Sequence, residues 1–449
     1  VEGIQHWSKL RALAELSDPS ILEESKNNIT GDDVVSIIYS SGTTGKPKGI
    51  LLTHHNIISN IMALSQVIPL EPGAQCRILS FLPLSHIFER SAIYMYLYFG
   101  CHIFYAENVE SLHENLREVK PLSFTTVPSI LEKLYNQVMI QAHNLKGWEK
   151  TMFYWAFKLG LQYKTEENSG WWYKFKITIA SKLFLKRFRD HFGGNIQYVI
   201  SGAASLQPKI CRLLWASNIK ILEGYGMTET SPAISISHPE DTKIGTTGKP
   251  LDGVSVKISE EGEILVKGPN IMKGYFNNPE LTREVIDKDG WFHTGDIGEL
   301  VQGKYLKIKD RKKEVFKTSS GKYIAPQELE NKFKESELIE QIMVVGENEL
   351  FTAALIVPGK EAVENLCKQH KIPFTTIKEI LNHPEVIQKF YLELQKHNAT
   401  SSKYEKIKKF LIIPESWGIQ SGELTPTMKI KRQFILNKYQ DQIASLYGE

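Results

Sequence analysis

Cysteine is scarce in this chain: four residues in 449, at positions 76, 101, 211 and 367, with no C-x-x-C pair among them. That spacing excludes the usual zinc signatures, argues against a disulfide framework and fits a reducing cytosol. Charge of one sign is lacking as well, and a formal net charge of +3 is too small to argue for nucleic acid as a partner. No apolar run reaches the ~20 residues needed to span a bilayer. The longest, "IYMYLYFGCHIFYA" from Ile93, is broken by Gly100 and His102 and reads as a buried helix followed by a strand. The opening "VEGIQHWSKLRALAEL" has no apolar core of the signal-peptide kind. Tandem repeats and low-complexity segments are absent too.

What is present is the composition of a globular protein, 42% hydrophobic and 23% charged, in a chain long enough for roughly two or three domains. Short β-branched or aromatic runs recur between helical stretches: "VVSIIY", "RILSFLP", "HIFYA", "LSFTTVP", "IQYVISG" and "IKILEGYG". Strand and helix alternating in this way predict α/β architecture with parallel sheets and covering helices, and ligands beyond the carboxyl ends of strands. From Gly245 turn signals come every few residues, predicting a small antiparallel β region. A lysine-rich shift after Asp310 predicts a boundary there. The expected domains are 1–310, large and α/β, and 311–449, smaller, α+β and mobile.

Five stretches carry chemistry. "YSSGTTGKPKG" (39–49) fails the P-loop pattern twice, because Ser40 stands where glycine is needed and Pro47 where a hydroxyl is needed. It still offers backbone N–H groups, hydroxyls, Lys46 and Lys48 to a polyphosphate, and reads equally as a flexible surface turn. In "GYGMTET" (224–230), Thr228 could bond a phosphate, Glu229 supplies a hard oxygen for Mg²⁺, and Tyr225 a flat face for a base; a solvated T-E pair is the plainer reading. "WFHTGDIG" places Asp296 between two glycines, in a turn whose carboxylate could accept both hydroxyls of a ribose or merely close an Asx turn. "KDRKKEVFKTSSGKYIAP" contains Arg311 and a second hydroxyl-rich loop, and "LTPTMKIKRQFI" contains Lys429 in a turn-rich segment.

The ordered set resembles the adenylate-forming superfamily of acyl-CoA synthetases, peptide adenylation domains and luciferases, and is most similar to its long-chain fatty acid–CoA ligases. "PLSHIFER" (83–90), "VISGAASL" (199–206) and "GEILVKGPNIMKGYFNNPE" follow the family's order, and the likeness covers nearly the whole chain. It implies a two-step ligation: a fatty acid attacks MgATP to give acyl-AMP and pyrophosphate, then coenzyme A displaces AMP. The resemblance would have Ser40, Ser41, Gly42, Thr43, Thr44, Gly45 and Lys46 grip the β- and γ-phosphates. Gly202, Ala203, Ala204, Gly224, Tyr225 and Gly226 would line the nucleotide site, with Thr228 on the α-phosphate and Glu229 on Mg²⁺. Asp296 and Arg311 would bind the ribose, and Lys429 would reach the α-phosphate and carboxylate during adenylation. A hinge at Arg311 and Lys313 would then swing the small domain, so that Ser319, Ser320, Gly321, Lys322 and Tyr323 serve the coenzyme A step. His86, Val127 and Pro128 are candidates for the acyl pocket, and "TTVPSILEKLYNQV" with segment 151–176 resembles the family's tunnel-forming region. A satisfied core histidine is the alternative for His86.

The phosphate loop comes some forty residues in, whereas relatives carry well over a hundred before it, so the N-terminal domain is expected to be truncated at its start, which bears on any homodimer surface. The relatives' Gly-Gly-Ala-Pro is "GAAS" here, with a modest expected effect. The basic stretch 171–192, with six Lys and Arg, could touch an anionic membrane at the inner face of a cytoplasmic enzyme's membrane; a helix whose apolar stripe faces the core is the favoured reading. Two rival functions remain: a fatty acyl-AMP ligase that loads a carrier protein, and a catalytically silent nucleotide or acyl-chain binder.

Overall fold

The computed structural model describes residues 8, 9, 11, 18–41, 47–71, 73, 75–108, 111–165, 170–370, 372–373, 376–425 and 430–448. Its centre is a seven-stranded sheet in the order His102–Tyr105, Arg77–Ser80, Ser123–Thr126, Tyr198–Ser201, Lys220–Gly226, Ala233–Ile236, Lys249–Pro250. The first five strands are parallel and the last two antiparallel. Side chains alternate across such a sheet, so one strand feeds two cores. Val199 and Ile221 enter a core with Phe124, Phe153, Phe188 and the helix Pro208–Ala216. Their neighbours Ile200 and Leu222 enter another with Ile50, Leu52 and Tyr96. Each such side chain, fully buried, contributes about 1.5–3 kcal/mol.

"VVSIIY" does not join the parallel sheet. Val34–Ser41 pairs antiparallel with Pro47–Thr53, which pairs in turn with Gly274–Tyr275. Only five residues separate the first two strands, too few for the crossover that parallel pairing needs. The expected antiparallel β region is found as a four-stranded sheet of Ser255–Ile258, Glu263–Lys267, Phe292–Val301 and Tyr305–Arg311. Beyond it, two further cores gather residues from Ile324 to Leu446 around the strands Ile339–Val345, Ala353–Pro358 and Lys409–Ile412.

Two more expectations need correction. Cys76 and Cys101 form a disulfide pair with Cα atoms 4.9 Å apart. Sequence spacing hid the pair, because the parallel register Arg77↔His102 sets the residues before the two strands side by side. The helix Ile87–Tyr98 is not wholly buried: Tyr94, Leu97 and Tyr98 are exposed, while Ile93, Met95 and Tyr96 face the core. Among the described residues no helix is long and apolar enough to cross a membrane.

Candidate functional site

Four of the five parallel strands end at Ser80, Thr126, Ser201 and Gly226, and the chain leaving each of them carries candidate residues. Thr126 and Ser201 are register partners, and the Gly202 N–H donates to the Thr126 carbonyl at 3.2 Å. Val127 and Pro128 therefore lie beside Gly202, Ala203 and Ala204. A Cβ on Gly202 would stand 3.2 Å from the Phe88 ring, so the glycine lets "PLSHIFER" pack against this loop. Ala203 has φ 68°, the left-handed region that glycine fills without strain, so the alanine here carries a cost in backbone energy. His86 is exposed at the N-terminal cap of the helix Ile87–Tyr98, which rules out a core histidine.

Buried polar groups brace these strand ends. Glu89 accepts from the Ser80 hydroxyl at 2.5 Å and from the Thr125 hydroxyl, tying its helix to two strands. Burial pushes its carboxyl above the ordinary range, against the pull of those two bonds. Glu223, just before "GYG", accepts from the Leu206 N–H at 3.4 Å, and burial raises its pKa to about 7. A carboxyl raised in the folded state keeps its proton where the unfolded chain has lost it. The stability it contributes is therefore complete below pH 4.5 and fades as the pH climbs to about 7. Across that window the change is on the order of 3 kcal/mol. Glu223→Gln should flatten the corresponding slope in urea unfolding measured at pH 5 and pH 8; an unchanged slope assigns it to other groups.

The strand Lys220–Gly226 runs into a short turn, Thr228–Thr230, held by the Thr230 hydroxyl, which accepts from the Met227 N–H at 3.0 Å. A side chain on Gly226 would meet the Pro232 carbonyl at 1.8 Å, so only glycine fits. Glu229 accepts a 3.0 Å hydrogen bond from the Tyr275 hydroxyl, and Lys48 Nζ lies 5.4 Å from the Tyr275 ring. One aromatic side chain thus joins the end of the first loop to the candidate metal carboxylate. Sequence reasoning gave Tyr275 no role; its signal was its place in "KGYFNNPE". Glu229 is a hard oxygen donor and fits Mg²⁺. Among the described residues no three His, Cys, Asp or Glu side chains gather round one point. An ion at Glu229 would take its remaining ligands from nucleotide phosphates and water.

Asp296 lies in the strand Phe292–Val301 and not in a turn, opposite Arg311 in the antiparallel ladder. It is nearly buried, accepts a 2.7 Å hydrogen bond from the Tyr225 hydroxyl and stands 3.7 Å from Arg311 Nε. The flanking glycines signal a turn, but Gly295, at φ 70°, lies three residues inside that strand. Burial and the Asp296 charge both push the Tyr225 phenol up, so it stays a donor. Candidates from three distant stretches, Tyr225, Asp296 and Arg311, thereby form one contact set.

Asp310 and Arg311 end their strand where the C-terminal residues begin. Asp310 is buried and accepts from the N–H groups of Arg311 and Gln327, both at 2.7 Å; burial raises its pKa to about 7. Lys312 reaches Glu261 at 2.7 Å and Glu263 at 3.0 Å, tying the chain just after the strand to the antiparallel β region. Ser319, Ser320, Gly321 and Lys322 lie between the paired strand residues Lys317 and Tyr323 of a hairpin. The Ser319 N–H donates to the Glu349 carbonyl at 3.0 Å, a C-terminal contact. The half-buried Lys209 ammonium bridges the two parts, donating to the Lys334 and Glu335 carbonyls at 3.3 and 2.9 Å.

Gly42, Thr43, Thr44, Gly45, Lys46 and Lys429 lie outside the described residues. The flanks of both segments are anchored. Ser41 pairs with Pro47, and Leu424 pairs with Ile430. Just beyond, Arg432 Nη2 donates to both carboxylate oxygens of Glu330 at 2.6 and 2.7 Å, and its Nε reaches Glu314 at 3.1 Å.

Comparison with known proteins gives this geometry a context. Residues 3–276 match the AMP-binding enzyme family and residues 313–449 its C-terminal domain. The chain is 33% identical over 437 residues to the long-chain-fatty-acid–CoA ligase FadD15 of Mycobacterium bovis, covering 96% of this chain and 72% of that protein. It is 33% identical over 438 residues to long-chain-fatty-acid–CoA ligase 1 of Homo sapiens, covering 93% of this chain but only 61% of the relative. Among solved structures, the adenylation domain of a Mycobacterium chelonae carboxylate reductase superposes with a TM-score of 0.70 at 22% identity, covering 93% of this chain and 61% of that one. The Bacillus subtilis o-succinylbenzoate coenzyme A synthetase, solved with ATP and magnesium, gives 0.61 at 21%, covering 90% and 70%. At such identities the structural likeness speaks for the fold.

Proposed function

Since the chain belongs to the AMP-binding, adenylate-forming enzymes, we propose that it is an ATP-dependent long-chain fatty acid–CoA ligase acting in the cytoplasm. The observation that carries this reading is the convergence of Tyr225, Asp296 and Arg311 with the Glu229–Tyr275–Lys48 group around the carboxyl end of one strand. The long-chain assignment leans on relatives named for that activity at 33% identity.

In the first step a fatty carboxylate oxygen attacks the α-phosphorus of ATP, the bond to the β-phosphate breaks, and pyrophosphate leaves. Asp296 and Arg311 hold the ribose, and Gly202, Ala203, Ala204, Gly224 and Tyr225 flank the base. Residues 40–46 hold the outer phosphates, and Thr228 bonds the α-phosphate. Magnesium, when bound at Glu229, neutralises phosphate charge. Lys429 stabilises the charge shared by the attacking carboxylate and the α-phosphate. In the second step the coenzyme A thiol attacks the acyl carbonyl and AMP leaves. Residues 319–323 come to the site by a swing at Arg311 and Lys313, a closure that completes one half-reaction while ending the other. In this reading residues 311–449 form the mobile C-terminal domain.

Pyrophosphate release with MgATP and a panel of fatty acids, with and without coenzyme A, tests the proposal. Long acids should release pyrophosphate, coenzyme A should convert the adenylate to thioester, and Lys429→Ala should cut adenylation by roughly 10²-fold or more. Adenylate that forms but reacts only with a carrier protein's thiol would move the reading to an acyl-AMP ligase. ATP binding without pyrophosphate from any acid would leave a silent binder.

A further inference from the structure

The helical stretch from Trp171 to His191 has two apolar faces where a core helix needs one. Ile177, Ala180, Leu185 and Phe188 are buried in the main core, as the favoured sequence reading expects. Trp171, Trp172, Phe175 and Leu183 take no part in it and are 66%, 58%, 55% and 58% exposed. The tryptophan rings stack at 3.9 Å, and Phe175 meets Trp172 edge-on at 6.3 Å. A π turn at Ser181–Leu185 shifts the helix phase, so that Leu183 points to solvent while Leu185 enters the core.

From Trp171 to Arg189 the charge has one sign, and exposed Asp190 follows one turn after Lys186. Lys174, Lys176, Lys182 and Lys186 are exposed, and no Asp or Glu occurs between Trp171 and Arg189. The two arginines serve the scaffold. Arg189 donates to the Ser217 carbonyl at 2.7 Å, and Arg187 pairs with Glu149 of the neighbouring helix at 3.5 Å. Contiguous exposed aromatics mark an interaction surface. Lysines are depleted at protein–protein interfaces, whereas indole rings ringed by lysine suit the boundary between headgroups and acyl chains.

We propose that Trp171, Trp172, Phe175 and Leu183, with Lys174, Lys176, Lys182 and Lys186, form a docking surface for an anionic lipid bilayer. Its aromatics enter the interface and its lysines meet the headgroup phosphates. The inference stands on this face alone and does not rest on the acyl substrate.

Cosedimentation of the whole chain with phosphatidylcholine vesicles, with and without phosphatidylglycerol, tests it. Binding should be at least about tenfold tighter with phosphatidylglycerol and should weaken with added salt. Lys174→Glu with Lys182→Glu and Lys186→Glu should remove that preference. Trp171→Ser with Trp172→Ser and Phe175→Ser should weaken binding to anionic vesicles, with melting temperature checking that the variant folds. The charge variants, all at exposed positions, keep the test open if the aromatic variant does not fold. Equal binding to both vesicle types, binding unchanged in the charge variant, or no binding to either vesicle would overturn the proposal; the last would turn attention to a protein partner.

Discussion

Asp296→Ala is expected to raise the ATP concentration needed for half-maximal pyrophosphate release by roughly 10²- to 10⁴-fold. A hydrogen bond to a charged group is worth about 1.5–3 kcal/mol, and a carboxylate that accepts both ribose hydroxyls makes two of them. The strand pairing of Asp296 with Arg311 and the Tyr225 hydroxyl at 2.7 Å hold that carboxylate in place before nucleotide arrives. Preorganisation of this kind lowers the ordering cost of binding. Alanine also strands the Tyr225 hydroxyl, an unsatisfied group that costs about 1–3 kcal/mol, so melting temperature must accompany the kinetics and Asp296→Asn serves as the gentler variant. The decisive comparison uses 2′,3′-dideoxy-ATP. Wild type should lose most of its advantage with that nucleotide, and the alanine variant should hardly distinguish it from ATP. A variant that still discriminates between the two would show that the ribose is held elsewhere.

How far sequence leads depends on the range of the interaction that decides each feature. Local signals placed most strands of the central sheet, and the ordered motifs named the family, because β-branched runs and glycine turns act within a few residues. Pairing partners were less legible. "VVSIIY" looks like any buried parallel strand, and only the five residues between its full strand, Val34–Ser41, and "PKGILLT" reveal a hairpin. The Cys76–Cys101 pair depends on the register of two parallel strands, which no spacing rule reads. Flanking glycines signal a turn at Asp296, yet the ladder with Arg311 carries it through as strand. Tyr275 and Glu89 act on partners 46 and 36 residues away, and their contacts exist only once the sheets pack. The basic stretch 171–192 reads as either core helix or membrane face, and its buried and exposed apolar residues are different ones.

Glu229→Gln should lower the turnover number for adenylation by about 10²-fold and raise the magnesium concentration for half-maximal rate by about tenfold or more. The substitution keeps the shape of the side chain and leaves an oxygen to accept from Tyr275, which donates at 3.0 Å. Only the negative charge is lost, so a folding defect is a poor explanation for a large effect. Tyr275→Phe separates the two contributions of that contact. It removes a hydrogen bond and leaves the charge, and should cost about tenfold with little change in the magnesium requirement. An unchanged magnesium dependence in Glu229→Gln would move the metal to another carboxylate. The expected pattern, a large shift for the charge and a small one for its support, follows from how the ion is held. Among the described residues no cluster of three His, Cys, Asp or Glu side chains stands at Glu229 to compensate, and the ion would share that carboxylate with the phosphates.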